Sequence, residues 1–159
     1  MRVQPIEPPD SHHLSATLGW LGLGVVKEAR AELAQVSAEN QNHPATLEVR
    51  WLLHTHEKNW DRALEIARAE IAIAPEESSG WLHRAYALRR VDEGGLPQAW
   101  EALLPAAEQF PEEPVIAYNL ACYACQSRHS HWQKRRDQEN GAGRRRSQTA
   151  LAGNHGMVK

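Results

Sequence analysis

Large apolar side chains recur along this chain three and four residues apart, the spacing of one face of a helix rather than the alternation of a strand. Three segments share a pattern: VKEARAELAQV (Val26 to Val36), WDRALEIARAEIAIAP (Trp60 to Pro75) and LPQAWEALLPAAEQFP (Leu96 to Pro111). Each carries alanine at its fourth place, Ala29, Ala63 and Ala99, and each runs on to a proline, Pro44, Pro75 or Pro111. A proline has no N–H to donate and clashes with the preceding turn, so it stops a helix and resets the chain. Between these segments lie others with the same period: LEVRWLLHTH from Leu47, GWLHRAYALRR from Gly80 and PVIAYNLACYAC from Pro114. The pattern predicts an all-α chain in which two kinds of helix alternate.

Ala29, Ala63 and Ala99 lie 34 and 36 residues apart. The two extra residues fit in the turn VDEGGLP (Val91 to Pro97), where Gly94 and Gly95 allow a longer connection. A small residue is needed at a helix crossing because axes approach to about 8 Å only when no large side chain stands between them. This arrangement resembles the tetratricopeptide-repeat (TPR) family, whose 34-residue unit is a helix A, a tight turn and a helix B. Trp81 falls on the family's aromatic position in helix A, Ala85 on its small position, and Leu120 with Ala121 on its Leu–Gly pair. Repeat 1 lacks that pair, and Arg50 with Trp51 occupies it in repeat 2.

The resemblance implies a TPR α-solenoid, a right-handed superhelix of antiparallel helix pairs with about three and a half repeats over residues 10–126. A flexible N-terminus (1–9) precedes it, and a basic tail of low order (127–159) follows. It implies a scaffold that binds a protein or peptide in the groove lined by the A helices, like stand-alone bacterial TPR proteins. The family's ligand-facing positions map to Glu48, Leu52 and His56 in repeat 2. In repeat 3 they map to Leu82, His83, Tyr86, Arg89 and Arg90, and in repeat 4 to Tyr118, Asn119 and Cys122. Asn119 sits where the family often bonds a peptide backbone, and Arg89 with Arg90 would pair carboxylates, so the implied ligand is acidic. The clamp for chaperone tails needs Lys and Asn in repeat 1, where this chain has Leu14 and Leu18.

The periodicity ends after Gln126. Residues 127–159 hold eight of the 18 Lys and Arg but only Asp137 and Glu139, giving this tail +6 and residues 1–126 a charge of −8. No helix B is legible there, so Leu120, Tyr123 and Ala124 are expected to lack cover. The genetic code offers a reason. His131-Trp132-Gln133 is encoded by CAY TGG CAR; read from each third base it gives YTG GCA, Leu-Ala, placing alanine at 133, which is 34 residues beyond Ala99. The tail is therefore read as a frameshift product. If it is native, Lys134-Arg135-Arg136 and Arg144-Arg145-Arg146 form a disordered arm with salt-dependent affinity for nucleic acid or another acidic partner, the alternative function.

Candidate chemistry alters this picture little. Cys122 and Cys125 are the only cysteines, three apart in one helix, which suits neither a good disulfide nor an oxidising compartment. With His129 and His131 they make C-x2-C-x3-H-x-H, an unusual spacing for zinc, and no metal is expected. His54 and His56, two apart on a helix, point to different sides and read as the solvent-facing end of helix A. No phosphate loop, nucleophile elbow or paired-carboxylate motif occurs; the expectation is a non-enzyme without cofactor. The longest apolar run, Leu18 to Val26, has nine residues against the roughly 20 a membrane helix needs. MRVQPIEPPD lacks the layout of a signal peptide, so a cytoplasmic location is expected and no membrane partner.

Overall fold

The computed structural model describes residues 4–128, and every regular element among them is helical. In chain order these are α1 (Asp10–Gly22), α2 (Val26–Leu33), a single 3-10 turn (Ala38–Asn40), α3 (Pro44–His56), α4 (Trp60–Ile73), α5 (Ser78–Leu88) and α6 (Leu96–Gln109). A last helix, α7, runs from 114 to 128, where the described residues end. The odd-numbered helices begin at 10, 44, 78 and 114, so the spacing seen in the alanines is the spacing of the helices themselves. Each helix packs chiefly on its neighbours in sequence, and α1 also packs beside α3.

Polar pairs fix the directions. His13 near the start of α1 meets Glu32 near the end of α2 at 2.7 Å, and Glu70 near the end of α4 meets His83 in α5 at 2.8 Å. Sequence neighbours are therefore antiparallel. Trp51 of α3 lies against His83 of α5, one repeat on, so successive odd-numbered helices stand side by side.

The alanines sit where the argument from close approach requires. Ala29, Ala63 and Ala99 are fully buried, as are Ala85, Ala87 and Ala106. Gly80 serves the same end: a Cβ there would meet Ile71 and Glu70 of α4 at 3.0 and 3.1 Å. The core runs through the array in three linked clusters. One joins α1, α2 and α3 through Leu14, Leu21, Leu33, Val49 and Leu53; a second surrounds Trp51, Ala63 and Leu64; the third gathers Leu103, Ile116, Leu120 and Tyr123 between α5, α6 and α7. This last cluster corrects one expectation. Leu120 and Tyr123 are buried, Tyr123 to 2% exposure, and Ala124 is half-buried, because α6 supplies their cover from the preceding repeat.

Helix ends follow from local chemistry. His43 caps α3: its Nδ1 accepts from the Ala45 N–H at 3.1 Å, so its Nε2 carries the proton that it donates to the Gln4 carbonyl at 2.8 Å. Asn59 caps α4 through the Arg62 N–H. Ile73 and Gln109 end α4 and α6 two residues before Pro75 and Pro111. The VDEGGLP segment forms the long connection expected of it. Gly94 allows the chain to fold onto α5, since a Cβ there would lie 1.9 Å from the Leu88 carbonyl, and Gly95 has φ 129°. Ahead of α1, Ile6 packs against the first cluster.

Candidate functional site

The residues expected to face a ligand fall into four groups. Glu48, His56, Tyr86 and Tyr118 are exposed, Tyr118 to 69% and Tyr86 to 40%. Leu52 packs between the first two clusters, while Leu82 and Cys122 pack against the third. His83 stacks on Trp51 with ring centres 3.8 Å apart and planes 11° from parallel, and its Nδ1 is bonded to Glu70. Arg89, Arg90 and Asn119 are half-buried.

Tyr86 and Arg90 belong to one aromatic cluster. The Arg90 guanidinium lies 3.6 Å from the centre of the Tyr86 ring and 5.1 Å from that of Trp60, and Tyr86 meets the edge of Trp51 at 5.7 Å. Arg90 Nη1 also donates to the Tyr86 carbonyl at 2.8 Å, so this guanidinium covers rings as well as offering charge. Arg89 lies 5.0 Å over Tyr123 and donates to Gln126 Oε1 at 2.9 Å. Burial pushes the Tyr123 phenol up, partly opposed by Arg89. On α7, the hydrogen bond between Tyr118 and Cys122 raises the Tyr118 phenol.

At the other end of α5, Glu48 opens onto a hollow of about 330 Å³ lined by Gln4, Pro5, His43, Pro44, Ala45, Glu70, Ala74, Glu77, Ser79 and Gly80. Three carboxylates line it, those of Glu48, Glu70 and Glu77, and Glu70 is buried. The face shared by α3 and α5 is thus acidic at the start of the helices and cationic and aromatic at their ends. An acidic ligand is matched only by the Arg end.

Sequence spacing missed several members of this surface. Trp51 and Trp60 were readable as large aromatics, but that they bracket Tyr86 depends on how α3, α4 and α5 cross. Glu70, Glu77 and His43 lie at helix ends or in connections, outside any helix A periodicity. His54 differs from expectation: it is half-buried, its Nδ1 faces Glu57 Oε2 at 3.2 Å, and burial lowers its pKa.

Cys122 and Cys125 are free thiols, and no group of three or more His, Cys, Asp or Glu that could hold a metal occurs among the described residues. His129, His131 and both arginine clusters lie outside the described residues, as does the expected disorder of the tail. No described helix is long and apolar enough to cross a membrane. No family model, curated protein or solved structure matches the chain.

Proposed function

We propose that the chain is a TPR-type scaffold that binds an extended peptide or protein segment along the aligned faces of α3, α5 and α7. One observation carries this reading. Helix pairs recur every 34 to 36 residues with a fully buried alanine at the same place in α2, α4 and α6, an arrangement that supports odd-numbered helices standing side by side, with Glu48, Tyr86 and Tyr118 exposed on them. Repeat arrays use such shared faces to bind extended ligands. The family resemblance supports a protein ligand, and the absence of any catalytic constellation in the sequence favours binding over catalysis.

The surface suits a segment with an acidic or aromatic part at Tyr86 and Arg90 and a basic residue toward Glu48 and Glu77. Tyrosine and arginine are the side chains that most often anchor interfaces. The test is affinity capture with the full chain, followed by identification of what binds. Tyr118→Ala combined with Glu48→Lys changes two exposed positions and leaves the core intact. A specific partner should bind at least tenfold more weakly to this variant and normally to Leu104→Ser, an exposed change on α6. Partners unaffected by the double variant would refute the surface.

A further inference from the structure

The last helix has two apolar faces, and among the described residues only one of them is covered. Ile116, Leu120 and Tyr123 turn into the third core cluster. Ala117, Ala121 and Cys125, each exposed, form a second stripe at four-residue spacing. Comparison of equivalent positions shows what is missing. The eighth residues of α1, α3 and α5 are Thr17, Trp51 and Ala85, all buried; the eighth of α7 is Ala121, exposed. In the first three pairs the following helix packs on that side, bringing its fourth residue, Ala29, Ala63 or Ala99, to full burial.

Where a partner helix for α7 would begin follows from the fold. α2 and α4 each begin 16 residues after the helix they pair with, and α6 begins 18 after α5 because of its long connection. Sixteen residues from the start of α7 is 130, and the fourth residue of a helix begun there is 133. The chain has Gln133, preceded by Trp132. The neighbouring frame has Leu-Ala at 132 and 133, whatever synonymous codons are used. Helix starts and codon structure are independent of each other, and both place the alanine at 133.

We propose that the uncovered face of α7 is the seat of a fourth helix B, encoded in the neighbouring reading frame across codons 131–133, and that the native chain carries it in place of the basic tail. This rests on the helix-pair architecture alone and stands whether or not the array binds a peptide. The same frame reads Gly, Arg or a stop at 137, opposite the buried Leu33, Ala67 and Leu103 of the other pairs, so the proposal requires the glycine codon GGA there.

Independent sequencing of the locus tests it first. A missing or extra base upstream of codon 131 is expected, with GGA spanning codons 136 and 137. Confirmation of the present frame, or an arginine or stop codon at that point, overturns the proposal. The physical test compares the full present chain with the chain from the corrected gene. Ala121→Asp should leave the thermal midpoint of the first unchanged and lower that of the second by several degrees. Equal tolerance in both chains overturns docking on this face. A dimer of the present chain that Ala121→Asp dissociates, from a locus whose frame is confirmed, assigns the face to a second copy instead.

Discussion

A single carboxylate fastens the beginning of the array to its first inter-repeat connection. Asp10, the opening residue of α1, accepts from the Ser37 N–H at 3.0 Å, from the Ser37 hydroxyl, and from Asn40 Nδ2 at 2.7 Å. The Asn40 and Ser37 bonds favour the ionised form and hold the Asp10 carboxyl below its ordinary value. A depressed carboxylate contributes stability that is present above the unfolded pKa of about 3.9 and is lost as pH falls through the folded value. Asp10→Ala should therefore lower the urea midpoint at pH 6, and the gap from the unchanged protein should narrow as pH drops below 4. A gap that stays constant down to pH 2.5 would show that charge is not what Asp10 contributes. Sequence alone marks Asp10 only as an acid at a helix start. The chain separating it from Ser37 and Asn40 hides the partnership until α1 and α2 fold against each other.

Among the elements, α6 breaks a rule of its own. Pro105 lies inside the helix and is exposed, so the Glu101 carbonyl receives no bond from its N–H. One residue on, the Ala102 carbonyl accepts from Arg84 Nη2 at 2.5 Å, from a guanidinium that also lies 4.8 Å over the Trp81 ring. Interior proline disfavours a helix by about 3 kcal/mol, while its restraint of the unfolded chain offsets about 1 kcal/mol. Pro105→Ala should raise stability by about 2 kcal/mol, read as a higher denaturant midpoint with unchanged slope. A loss of stability would mean that the proline shapes the helix for its neighbours. The helices themselves were legible, because their starts follow the alanine register and proline punctuation. The start of α3 at Pro44, ahead of the apolar run from Leu47, was not: His43 sets it by capping with a ring that also holds Gln4, a contact reaching back to the chain's first residues.

The molecule as a whole is a line of neighbours, each helix resting on the next with three core clusters in series. In such arrays stability is a sum of local terms and interfaces. Leu21→Ala, which opens the first cluster, should therefore raise amide exchange in α1 to α3 far more than in α6 and α7. Uniform acceleration would mean that the array unfolds as one unit. Periodicity gave this linear order, but not the surface that crosses it: the stacking of Trp51 on His83 and the acid-lined hollow by Glu48 arise only where consecutive repeats meet. The seven-residue connection between α5 and α6 bears on the same order. Its two additional residues leave Ala99 as completely enclosed as Ala29 and Ala63, so the chain gains length there without shifting the phase of anything downstream. It works as an expansion joint, and between the exposed Asp92 and Glu93, ahead of the closely packed Gly94, a reporter or a foreign peptide could be spliced into the array at little expense to its packing.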